Sequence, residues 1–328
     1  MQLTSLLSAI VALVMAPLAI LASPAETLGN RDFPDPAITL DPRTHEWYTF
    51  ATNSNGKNVQ AAYSPNPHDG PWTYVEHDLL PTPGKWVNPD QYDIWAPDVH
   101  YFEATDSFVM YYSGLLADSP YHCIGIATAE NITGPYEALD EPFACPDSEG
   151  GAIDASGYLD PFDGSFFVVY KVDGSSKGPG GPCGNGDPPG EPTPFRLQRV
   201  NESDGITPIG HYTEILDRDP ELDGPLIEAP NLIRTWNGTF VLFYSSHCYN
   251  TPEYDIKYAT ADQIEGPYHR RGELMGPNTT SFGFDGPGGA SSVRGGGIMV
   301  FHANCDAGRC MYVTEFGVDE DGIVTLQD

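Results

Sequence analysis

The chain has 328 residues, with 46 Asp or Glu against 15 Lys or Arg and a formal charge of −31 at neutral pH. That balance argues against nucleic acid and anionic membranes as partners, because both are held by a cationic face that this chain lacks. Hydrophobic residues make up 40% and aromatics 12%, with 35 Gly and 31 Pro, a foldable and turn-rich composition that suits one large β domain better than long helices.

An apolar run from Leu6 to Ala22 opens the chain and is followed by small residues. It reads as a secretory signal peptide over residues 1–22, cleaved within 22–25, although no Lys or Arg precedes it. Pro17 interrupts the run, which is short for a membrane span. Export agrees with four glycosylation sequons, at Asn131, Asn201, Asn237 and Asn278, and with an even set of six cysteines. Fifteen pairings of six cysteines are open. Cys305 with Cys310 is an easy closure, and Cys123 with Cys145 would tie neighbouring segments.

The remainder, 26–328, is expected to be a single domain built from repeats. Five segments, starting at Asp35, Ala96, Asp154, Ala229 and Pro287, share a Pro- or Gly-containing start, an alternating strand, a polar turn and an aromatic second strand. The turns DPRTHE, EATDS, DPFDG, TWNG and VRGGG carry hairpin chemistry. Three units continue with a Gly-Pro-aromatic signature, ending at Trp72, Tyr136 and Tyr268. Four short strands recurring at about sixty residues are the mark of a β-propeller, so the expected fold is an all-β, five-bladed β-propeller. A β-sandwich, the rival, does not require the Gly-Pro-aromatic recurrence. The polar stretch Gly174–Pro194 reads as a surface loop inside the third unit.

In a propeller the first strand of each blade lines the central channel, so Asp35, Asp98, Asp154 and Glu228 should converge there from what reads as the same place in successive units. Like charges brought together raise one another's proton affinity. One carboxyl can then stay protonated as an acid while another stays ionised as a base, the division that glycoside hydrolysis requires.

The motifs FPDPAI, IWAPDVHY, GAIDASGY and EAPNL, in that order, resemble family 43 glycoside hydrolases, and within them the arabinanase-like group. The resemblance implies an inverting enzyme acting on arabinan or arabinoxylan. It makes Asp35 the general base, Glu228 the general acid and Asp154 the residue that sets the acid's proton affinity and orientation. Asp98 and Trp95 would support or contact the sugar. Many arabinanases of this family carry a metal-associated His where this chain has Gly289, so no metal or other cofactor is expected to be required. His247 and His302 read as structural. A secreted monomer with a polysaccharide or oligosaccharide partner is the expectation. The alternatives are a β-xylosidase or exo-galactanase of the same fold and, from another class, a non-catalytic sugar-binding propeller.

Overall fold

A computed structural model describes residues 25–279 and 283–327, so the leader expected at 1–22 lies outside the described residues. Among these residues the strands form five antiparallel sheets in chain order, with three short 3-10 turns and no α-helix. The inner strands are Ala37–Leu40, Trp95–Phe102, Ala152–Leu159, Ile227–Arg234 and Gly288–Ser292, and they touch one another in cyclic order. The expected five-bladed propeller is therefore the observed fold.

Alternation explains why the blades stack. Each strand sends successive side chains to opposite faces, and in the second strand of the second blade Met110 and Tyr112 join a core shared with the first blade while Tyr111 joins one shared with the third. The same division at every blade gives five buried clusters, one at each interface of the ring. The Gly-Pro-aromatic signature has a physical role. Trp72 Nε1 donates to the Pro67 carbonyl at 3.2 Å, Tyr136 to Ile132 at 2.9 Å and Tyr268 to Ile264 at 3.1 Å. Each buried ring thus satisfies a carbonyl of the turn before it.

Ring closure uses both ends of the described chain. Ala25–Glu26 pairs with the third strand of the fifth blade, Gly308–Val318, and Val324–Gln327 pairs further along that strand. Cys123–Cys145 and Cys305–Cys310 are bonded, as is Cys183–Cys248. That last bond fastens the Gly174–Pro194 loop, which joins the second and third strands of the third blade, to the fourth blade. Asn185, 2% exposed, holds the same loop through bonds to Glu191 and the Pro225 carbonyl.

Candidate active site

Every inner strand has one residue in the left-handed region at or just before its first residues: Asp35, Ala96, Asp154, Ala229 and Gly289, at φ of 53°, 41°, 59°, 51° and 58°. For the four that are not glycine this conformation costs about 1–2 kcal/mol each. It persists because the N–H of each is held. Asp35 donates to His302 Nδ1 at 3.0 Å, Ala96 to Thr52 at 2.9 Å, Asp154 to Ser113 at 3.1 Å and Gly289 to Ser245 at 3.0 Å. Each of these acceptors comes from the second strand of the preceding blade, or from the residue just past it. Ala229 differs, because its N–H goes to the Asp154 carboxylate at 2.9 Å.

This frame corrects one expectation: the four carboxylates do not share one place in the repeat. Asp35 and Asp154 occupy the left-handed position, Glu228 lies one residue before it and Asp98 two after. Asp98 belongs to a lower tier that ties inner strands together. Its carboxylate accepts from Gly157 N at 2.7 Å and contacts His100 at 2.8 Å, just as Asn231 accepts from Ser292 N and Ser291 from Ile38 N. Trp95 is half-buried and stacks on His122 with ring centroids 3.6 Å apart.

The structure brings Asp35, Asp154 and Glu228 together at one mouth of the channel and gives them different surroundings. Burial opposes ionisation of Asp35, but Arg309 at 3.0 Å and the Thr52 hydroxyl at 2.6 Å outweigh it and hold the carboxyl below the usual range. His302 touches the same carboxylate at 3.4 Å. Burial, reinforced by Arg309, pushes His302 down to about 3, so near neutral pH it carries no charge and Arg309 is the cation that keeps Asp35 ionised. Asp154 is the opposite case. Burial first, then the Glu228 charge, push it up to about 7 against the pull of Lys171 and the Ala229 N–H. Glu228 accepts from Tyr254 at 2.8 Å and faces the Lys171 ammonium at 3.2 Å.

Asp35, Asp98 and Asp154 line a narrow neck of about 40 Å³ in the channel. A larger cavity of about 1110 Å³ opens at the far end, among Leu40, Trp47, Phe102, Leu159 and Arg294. It lies where the inner strands end, whereas the acid and base candidates lie where those strands begin, so size does not mark the chemistry here.

Sequence reasoning did not pick out Lys171, Arg309 or Tyr254, and it read His302 only as structural. A signal existed for two of them. Lys171 interrupts the apolar run FFVVYKV, and Arg309 sits inside the Cys305–Cys310 loop. His247 bonds Ser246 at 3.0 Å and lies 4.0 Å from Asp255. A Cβ at position 289, where the family resemblance associates a His with a metal, would lie 2.7 Å from His302 Nδ1, which already accepts the Asp35 N–H.

Fold and site together define a five-bladed propeller with an acidic mouth whose carboxyl groups are held in different charge states. Residues 27–324 match glycosyl hydrolases family 43, and the chain belongs to that family. Arabinan endo-1,5-alpha-L-arabinosidase C of Emericella nidulans is 33% identical over 98 residues, 30% of this chain and 29% of that protein. The extracellular endo-alpha-(1->5)-L-arabinanase 2 of Bacillus subtilis is 30% identical over 115 residues, 31% of this chain and 24% of that one. The chain thus spans less than a third of the length of either of these curated relatives. Among solved structures, a thermostable family-43 glycoside hydrolase superposes with a TM-score of 0.74 at 22% identity, over 94% of this chain and 96% of that one. An endo-1,4-beta-xylanase from Bacteroides thetaiotaomicron gives 0.68 at 22% identity, over 91% and 96%. At such identity the likeness is one of fold.

Proposed function

We propose that the protein is a secreted glycoside hydrolase that cleaves arabinose-containing plant cell-wall polysaccharide, arabinan or arabinoxylan, with inversion at the anomeric carbon. The observation that carries this reading is the division of charge at the channel mouth: Asp35 held ionised by Arg309 and Thr52, Asp154 pushed up to about 7 beside Glu228. An inverting displacement needs one carboxylate base and one protonated acid on opposite sides of the sugar. Asp35 takes a proton from the attacking water, Glu228 gives one to the departing oxygen, and the C–O bond breaks as the new one forms, so one water is consumed. Asp154 keeps a proton close to Glu228 and, through the Ala229 N–H, fixes the strand that presents it. Trp95 offers a ring face to the sugar, and Asp98 supports the channel wall beneath.

Arabinan is favoured over other polymers by the names of the two curated relatives, and export by the apolar leader, the three disulfides and the extracellular relative. A β-xylosidase reading is kept because of the xylanase likeness. An exo-galactanase is disfavoured by Asp35, since the family resemblance gives that group no carboxylate base at this place. A non-catalytic binding propeller has no use for an ionised and a protonated carboxyl side by side. The test is a panel of debranched arabinan, arabinoxylan, xylan and galactan with product anomers followed by proton NMR, using wild type, Glu228→Gln and Asp35→Asn. Each variant should lose at least about 100-fold in kcat. Normal hydrolysis by both would remove the assigned site, and xylose released in place of arabinose would move the substrate to xylan.

A further inference from the structure

The frame that holds the left-handed residues has a single departure. In the second strands, the position facing the residue before the left-handed one is Thr52, Ser113, Ser245 and His302 in four blades, and each of these accepts the N–H of the next blade. In the third blade the same position, opposite Ile153, is Lys171. An ammonium has no lone pair and cannot accept that bond. The Asp154 carboxylate takes over the task from the neighbouring strand, and the Lys171 side chain, 1% exposed, is free to reach Glu228 at 3.2 Å and Asp173 at 3.0 Å. A buried lysine is tolerated only where anions face it, and here one of the two is the proposed acid.

We propose that Lys171 is a positioning residue for the acid: its ammonium fixes the Glu228 carboxyl at the channel mouth and offsets the negative charge left on it when the proton leaves with the departing sugar oxygen. The inference rests on the functional reading above. In the balanced step, the one proton shared by the Asp154–Glu228 pair passes from Asp154 to Glu228, the Glu228 O–H bond then breaks, the proton bonds to the glycosidic oxygen, and the electron pair of the C–O bond leaves with that oxygen. Glu228 ends as a carboxylate facing Lys171, while Asp35 holds the proton taken from water.

The other groups facing this pair are known. Asp154 comes from the third blade's inner strand, Asp173 from just beyond its second strand, Tyr254 from the fourth blade, Arg309 from the fifth and Asp35 from the first. His122 of the second blade, near Asp173, is pushed down to about 4 by burial and is neutral in the working range. Tyr254 stays protonated, because burial and the Glu228 charge hold it well above the usual range. Lys171 is thus the positive charge that a hydrogen-bond distance ties to Glu228.

The test compares wild type with Lys171→Met, Lys171→Arg and Asp173→Asn, each checked for folding by circular dichroism. The first readout needs no substrate. Carboxyl-labelled protein is titrated by carbon NMR, and the proton held by the Asp154–Glu228 pair should be released at higher pH in Lys171→Met by about one unit or more, unchanged in Lys171→Arg, and at lower pH in Asp173→Asn, where Lys171 keeps only one anionic partner. The second readout is leaving-group dependence. Lys171→Met should lose at least about tenfold more kcat on an arabino-oligosaccharide, whose departing oxygen needs the proton, than on a nitrophenyl arabinoside, which does not. Wild-type titration and leaving-group dependence in Lys171→Met would overturn the proposal. Should that variant not fold, an unmoved titration in Asp173→Asn would do so instead. A wild type inert on every glycoside would sink the functional reading, while the titration would still decide the charge that Lys171 supplies.

Discussion

Asp154 shows how one buried carboxyl couples chemistry to stability. In the folded chain it keeps its proton up to about 7, while an unfolded Asp loses it near 3.8. Between those values the folded chain binds more protons, so this group makes stability fall as pH rises through the window. Asp154→Asn removes the penalty and keeps an oxygen for the Ala229 N–H. It should raise Tm by about 2–4 °C at pH 8, with the gain vanishing near pH 4 in calorimetry, and it should depress hydrolysis at every pH. A Tm that drops equally at both pH values would contradict the assigned environment. The acidic residues could be read from the sequence because they lie in motifs near the starts of the repeated units. Arg309, Tyr254 and Lys171 could not, since their importance depends on which side chain the neighbouring blade sets opposite them. The phase difference among Asp35, Asp98 and Glu228 was hidden for a related reason: it turns on one left-handed residue per strand, and Ala96 and Ala229 carry no sequence mark of that conformation.

At the scale of elements, turn chemistry made the hairpins legible, and the inner and second strands fall on either side of the turns read from the sequence. The Gly-Pro-aromatic signature was legible as a recurrence but not as a cause, because its hydrogen bond to a carbonyl four or five residues back is a product of the folded turn. Tyr136→Phe should lose about 1 kcal/mol, read as a lower urea midpoint with unchanged m-value, and Tyr268→Phe about the same. Asp78 was not singled out in the sequence, yet it accepts from the N–H groups of Asn58, Val59 and Leu80 and so ties the chain after the fourth strand of the first blade to the start of its third. The Cys183–Cys248 bond was equally silent, since its partners are 65 residues apart and meet only when the third and fourth blades dock.

Over the whole molecule the charge of −31 acts as self-repulsion on a compact ring. Raising ionic strength from 0.01 to 0.5 M should therefore increase Tm at pH 7, where screening shortens the reach of surface charge from about 30 Å to a few ångströms, and should do little near pH 4.3, where the net charge is close to zero. A salt response equal at both pH values would place the effect elsewhere. The ring also imposes an order of events. Ala25 and Glu26 meet Val313 and Tyr312 across nearly the entire chain, the Phe33 N–H bonds the Arg309 carbonyl at 2.7 Å, and Asp32 takes the Arg309 N–H. The segment that closes the circle is thus the one that seats the guanidinium beside Asp35. Contacts of such long sequence separation form late. During synthesis four blades can emerge and stack while the first segment waits for its partner, and through that interval Asp35 lacks its counter-charge. On the proposed mechanism a chain still being made cannot cut sugar, and that competence arrives with the strand Gly308–Val318 that carries Arg309.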